Sequence, residues 1–181
     1  MSLIIPPIQE RNFQDLPRII ILSGDVDENL HSKFIEAMVQ LEHISNDPIH
    51  LHISSYGGSV YEMFGIIDII RNAKSPIYTV CTGKSMSAAV PILAAGQKGQ
   101  RKIGKYSTVM LHEVSGFGWG KTYAVKNEVV EQERVQDLYL DILSKYTNLP
   151  LAKIRKIFDT HKDTYLSADD VIGLKIADDI F

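Results

Sequence analysis

The stretch Ile49-His50-Leu51-His52-Ile53-Ser54-Ser55-Tyr56-Gly57-Gly58-Ser59 decides the fold class. Ile49–Ile53 reads as a strand, with His50 and His52 on one face by the period of two. Gly57-Gly58 breaks it, and a helix follows in which Val60, Met63, Phe64, Ile66, Ile67 and Ile70 are the apolar positions. Upstream, Arg18–Leu22 is a short β-branched strand stopped by Ser23-Gly24. Asp27 then caps a helix whose Leu30, Phe34, Ile35, Met38, Val39 and Leu41 fall near a 3.6-residue period. Downstream, Ser75-Pro76 leads into the strand Ile77–Cys81, then Gly83, then a small-residue helix from about Ser87 through Ala95. Thr108–Leu111 is a further strand. Residues 122–146 form the longest amphipathic segment, with Val125, Val129, Leu138, Ile142 and Tyr146 as its apolar positions, and a helix over Leu151–Phe158 follows. This alternation of strand and helix predicts an α/β layered fold with parallel-type crossovers.

Composition narrows the function classes. The chain has 181 residues with a formal net charge of −3, so it lacks the basic footprint of a nucleic-acid binder. Its apolar stretches, such as Ile19–Leu22 and Ala88–Ala95, fall far short of the ~20 residues that span a membrane. With 45% hydrophobic and 23% charged residues it is an ordinary globular chain rather than a disordered one. Residues 1–17, containing Pro6-Pro7, read as an N-terminal arm, and 18–181 as one domain. Met1–Pro7 lacks the basic region and long apolar stretch of a signal peptide, and the one cysteine, Cys81, sits in an apolar strand as a small core residue. Both features predict a reducing cytoplasm.

Two segments have the local form of a strand, a glycine and a helix start. In Ser54–Ser59 the paired glycines let backbone approach a ligand, and free N–H groups at a helix start receive an oxyanion or phosphate. A plain tight turn explains that segment equally well, and no Walker lysine or spaced glycine fingerprint accompanies it. In Gly83-Lys84-Ser85-Met86-Ser87-Ala88-Ala89 a serine stands among small residues at a helix start, with Pro91 tolerated in the first turn. A serine nucleophile needs a base, and the base an orienting group. Of the six histidines, His112 closes the strand Val109–Leu111, while His50 and His52 lack further ligands for a metal site. Spacing alone does not choose the acid, and a serine hydrolase and a binding module both stay open on the residues.

Taken together, the segments resemble the proteolytic subunit family of Clp proteases (ClpP), nearly without gaps from about Arg18 to Ile180. The resemblance rests on four blocks in order: Ile53–Val60, Gly83–Ala89 continuing through Leu93–Arg101, Val109–His112, and Lys162–Ala168. It implies a ClpP/crotonase-like spiral of ββα units with a protruding handle region at about 113–146. It also implies Ser87 as nucleophile, His112 as general base and Asp163 as its orienting acid, with the backbone N–H groups of Gly58 and Ala88 as oxyanion hole. Gly57 and the segment Ser115, Gly116, Phe117 and Gly118 would pair with substrate. No metal or cofactor is implied. The expected assembly is two stacked seven-membered rings enclosing the sites, fed with unfolded polypeptide by an AAA+ unfoldase. A noncatalytic ring subunit that mixes with a proteolytic one is the alternative.

The sequence departs from the family's pattern at several places. Tyr56 replaces the usual proline before the paired glycines, Glu113-Val114 replaces Gln-Pro after the histidine, and His161-Lys162 stands where the family carries an arginine before the aspartate. At positions where the family lines apolar pockets for its unfoldase, this chain has His50, His52, Asn72 and Lys102. The resemblance therefore predicts a subunit with altered unfoldase docking.

Overall fold

Why a strand survives its glycines explains most of this architecture. The computed structural model describes residues 17–116, 119–147, 149–159 and 162–181, so the proposed N-terminal arm lies outside it apart from Pro17. Strands β1 (Ile19–Val26), β2 (Ile49–Gly58) and β3 (Ile77–Met86) lie side by side and parallel. Leu22, Ile49, Leu51, Ile53, Ile77 and Cys81 are buried, in alternation with residues on the opposite face. The sequence predicted that each strand stops at its small polar or glycine-containing segment. Instead each continues through a local irregularity: Ser23/Asp25 in β1, Ile53/Ser55 in β2, and Gly83 in β3. Gly24 and Gly83 have φ of +92° and +76°, a conformation that glycine adopts without a side-chain clash, so the strands bend rather than end.

The bend divides the sheet. The first part of β3 pairs with β4 (Lys102–Ile103) at Val80 and Cys81, and its last part pairs with β5 (Thr108–Leu111) at Lys84–Met86. β6 (Thr164–Leu166) joins β5 antiparallel, and β7 (Asp179–Ile180) joins β4 parallel. The short strands β4, β6 and β7 were not foreseen, because runs of two or three residues carry no usable periodicity.

The helices cover this sheet as their sequences dictate. Asp27 accepts from Leu30 N at the start of α1 (Glu28–Ile44), as its cap position predicted, and Phe34 and Met38 are its buried residues. Ser59 caps α2 (Val60–Asn72), which buries Met63, Ile66, Ile67 and Ile70. α3 (Ala89–Ala94) begins two residues later than expected and is wholly buried. It packs against β2 and β3, burying Val90, Ile92 and Leu93 with its alanines.

α4 (Thr122–Thr147) is the long segment, ~39 Å at 1.5 Å per residue. Its buried face is Val135, Tyr139, Leu140, Leu143 and Thr147, not the predicted stripe, in which Val129 and Leu138 are exposed. The predicted stripe lies one residue off the buried one, and both carry helical spacing. α5 (Leu151–Phe158) has the predicted bounds, and Ser167 starts α6 (Ala168–Gly173) with a capping box. Arg101, 2% exposed, ties the end of the fold together: it pairs with Asp178 and donates to the carbonyls of Ala94 and Tyr146.

Candidate active site

Strand register brings together residues far apart in the chain. Ser87 follows the last residue of β3, and its N–H donates to the Met110 carbonyl, which prolongs the β3–β5 ladder by one step. His112 follows the last residue of β5. Asp163 precedes the first residue of β6, and the last pair of that antiparallel ladder is Leu111 with Thr164. One step further along the ladder sets His112 opposite Asp163, so β-pairing aligns three residues separated by 25 and 51 positions.

The side chains meet accordingly. His112 Nε2 lies 2.7 Å from Ser87 Oγ, a hydrogen-bond distance. His112 Nδ1 lies 3.8 Å from Asp163 Oδ1, which is ion-pair range but too long for a hydrogen bond. The His112 side chain is 29% exposed and that of Asp163 53% exposed. Cys81 does not compete with Ser87 as a candidate nucleophile: it is fully buried, and burial pushes its thiol up to about 11, against a smaller lowering by a Ser107 hydrogen bond.

The backbone at Ser87 is unusual. Its φ is +50°, a region that non-glycine residues seldom occupy and that clusters at functional sites. Gly57 lies directly against it, with φ +97°: a Cβ there would stand 2.6 Å from the Met86 carbonyl oxygen, 2.7 Å from Ser87 Cβ and 2.9 Å from Ala88 N. Gly58 has φ +149°, and a Cβ there would meet the Val26 carbonyl oxygen at 2.5 Å. Both glycines are therefore demanded by close backbone approach, and Gly57 brings the β2 terminus beside the Ser87 turn. Ser87, His112, Gly58, Ser59, Ser115 and Gly116 share a cleft of about 260 Å³.

Other predicted positions divide. Val114 N–H donates to Gln136 Oε1 at 2.6 Å, fastening the segment after His112 to α4. Phe117 and Gly118 lie outside the described residues, as does His161. Ser85, two residues before Ser87, is buried and its hydroxyl has no hydrogen-bond partner among the described residues. His50, Asn72 and Lys102 are exposed, and His52 is half-buried. His50 meets the ring of Tyr78 edge-on at 5.4 Å, and the exposed Ile19 and Ile21 pair with His50 and His52 across the β1–β2 ladder.

Three cleft residues escaped the sequence reading. Tyr139, from α4, donates its hydroxyl to the Ser87 carbonyl at 3.0 Å. Tyr61 and Glu128 also line the cleft, and Tyr61 donates to Glu131, which Arg134 grips with two nitrogens. The Arg134 and Tyr61 hydrogen bonds hold the Glu131 carboxyl down at about 2. Only the spacing Val135, Tyr139, Leu143 hinted at Tyr139, and it competes with the neighbouring stripe.

A sequence model of the Clp protease family matches residues 9–181. The chain belongs to the Clp protease family. Among curated relatives, the ATP-dependent Clp protease proteolytic subunit of Carsonella ruddii (strain PV) is 30% identical over 163 residues, 90% of this chain and 83% of that protein. Membership of the Clp protease family supports a peptidase of the ClpP type, and the parallel sheet with its covering helices agrees with that fold. Among the described residues no helix is long and apolar enough to cross a membrane.

Proposed function

We propose that this chain is the peptidase subunit of a chambered Clp-type serine protease, with Ser87 as nucleophile, His112 as general base and Asp163 as the orienting acid. His112 Nε2 takes the proton of Ser87 Oγ as that oxygen attacks a peptide carbonyl carbon. The carbonyl oxygen becomes an oxyanion, received by the N–H groups of Gly58 and Ala88. The protonated imidazole then delivers its proton to the departing amine, leaving an acyl ester on Ser87. Water, deprotonated by the same imidazole, releases the acyl group as a carboxylate and restores the hydroxyl. Asp163 stabilises the imidazolium and keeps Nδ1 protonated.

The observation that carries the reading is the 2.7 Å approach of His112 Nε2 to Ser87 Oγ in a turn with left-handed backbone. The family's ring assembly gives the exposed half of α4, with Tyr123, Val129 and Val130, a partner in another copy of the chain. Gly57 and the Ser115–Gly118 segment bind the extended substrate strand beside the cleft. An AAA+ unfoldase supplies the unfolded polypeptide, and bond cleavage itself needs no nucleotide. Docking of that unfoldase is weakened by His50, His52, Asn72 and Lys102, since apolar anchors contribute most of such affinity. The chain works in a reducing cytoplasm, where the lone thiol of Cys81 persists.

The test is cleavage of short fluorogenic peptides without nucleotide, together with native mass measurement of the assembly. Wild-type protein should cleave, and Ser87→Ala should lose cleavage while keeping the same assembly mass. Undiminished cleavage by Ser87→Ala would refute the assignment. For docking, a pull-down with a standard Clp unfoldase should retain little of it, and normal affinity would contradict that part.

A further inference from the structure

Tyr139 has a contact that packing does not require. It is 2% exposed on α4, its ring meets Phe158 edge-on at 5.7 Å, and its hydroxyl reaches the carbonyl oxygen of Ser87 at 3.0 Å. The same carbonyl accepts from Val90 N–H at 3.0 Å. Burial keeps the Tyr139 hydroxyl protonated far above the ordinary phenol range, so it is a donor at every working pH.

The Ser87 carbonyl and the Ala88 N–H belong to one peptide unit. That unit is planar and trans, so its C=O and N–H point in opposite directions and cannot turn independently. Two donors on the oxygen therefore set the direction of the N–H. The turn needs such help, because φ at Ser87 is +50°. Ser87 N–H is held by Met110 on one side, and the Ser87 carbonyl by Tyr139 on the other. Polarising the carbonyl also makes the attached N–H a better donor.

We infer that Tyr139 is a positioning residue for oxyanion stabilisation: by holding the Ser87 carbonyl it aims the Ala88 N–H at the oxygen of the reacting carbonyl. The inference rests on the proposed roles of Ser87 and Ala88. It connects α4 to the reaction through one hydroxyl that acts on the Ser87 carbonyl. Removing that hydroxyl lowers turnover and transition-state affinity while leaving ground-state binding nearly unchanged.

The experiment compares wild type with Tyr139→Phe, which keeps the ring and its contact with Phe158. Rates are expressed per titratable Ser87 site, so unassembled protein drops out. The expected result is a kcat about tenfold lower with KM within twofold, consistent with weakening one oxyanion donor rather than deleting it. Affinity for a peptide boronate, whose serine adduct is a tetrahedral anion, should fall by the same factor as kcat/KM. Unchanged kcat, or a fall in kcat with undiminished boronate affinity, would overturn the inference. Phe158→Leu loosens the same packing but keeps the hydroxyl, and its kcat should stay within twofold. An equal loss in Phe158→Leu would also overturn it, since packing alone would then move the rate. If Tyr139→Phe does not assemble, Tyr139→Leu is the second donor-free variant, with the same expected split. Failure of the underlying reading appears elsewhere, as wild-type protein without Ser87-dependent cleavage.

Discussion

The two ends of the candidate triad are built differently. Around Ser87 the backbone is held on both sides: Met110 holds its N–H, Tyr139 and Val90 hold its carbonyl, and Gly57 lies too close for a side chain. Asp163 differs: its carboxylate is 53% exposed and sits 3.8 Å from His112 Nδ1. Ser87 and His112 thus meet at hydrogen-bond distance within one chain, whereas Asp163 stands beside His112 without a hydrogen bond to it. The lesson is that buried backbone sets the Ser87–His112 pair, whereas the proposed acid is an exposed carboxylate at its edge.

The largest effect should come from invading the restrained end. Gly57→Ala places a methyl group against Met86, Ser87 and Ala88, so peptide cleavage should fall by roughly 10³ or more, comparable to losing the nucleophile machinery. Activity within tenfold of wild type would break the comparison. At the loose end, Asp163→Asn should cost less, on the order of 10² in kcat, because the wild-type pair is not hydrogen-bonded. A loss as deep as that of Gly57→Ala would mean that the acid is as tightly engaged as the nucleophile.

A third variant separates chemistry from scaffolding. Asp178→Ala leaves the Arg101 guanidinium buried and without its carboxylate, which should lower stability by about 3 kcal/mol while the cleavage rate per folded site holds. The pH dependence has a definite sign. Burial alone would raise the Asp178 carboxyl, but the Arg101 hydrogen bonds outweigh it and hold it below its ordinary value of 3.8. The stabilisation is therefore fully present above that ordinary value and is lost as pH falls through the lower folded one. Acid titration of wild type, followed by unfolding midpoint, should show this loss, and Asp178→Ala should lack it. The smallest effect is expected at Glu131→Gln. Its partners Tyr61 and Arg134 are at the surface, where water and salt screen the ion pair, so the unfolding midpoint should stay within measurement error. A clear drop there would move the restrained region outward along α4.

Particular elements show how far the sequence was legible. The Asp27 cap and the bounds of Leu151–Phe158 were readable because capping and helical spacing are local. The strands β1, β2 and β3 were read too short, because a local irregularity, at Gly24 in β1, Ser54 in β2 and Gly83 in β3, bends a strand that still pairs with its neighbour beyond it. The candidates His112 and Ser87 stand out in the sequence, one at the end of a strand and the other in a small-residue turn. Asp163 was not recognisable from the residues themselves, since its place opposite His112 depends on the register of strands of four and three residues. It entered through the resemblance to Clp proteases. Tyr139 was hidden by a competing apolar stripe on the same helix.

The central claim is that the Ser87 hydroxyl is the reactive group, activated by His112. Incubating the assembled wild-type protein with a fluorophosphonate and mapping the adduct by peptide mass spectrometry tests it directly. The account predicts one adduct per chain, on Ser87, and a strongly reduced labelling rate in His112→Ala. Labelling confined to another residue, or labelling of Ser87 at the same rate without the imidazole, would contradict it.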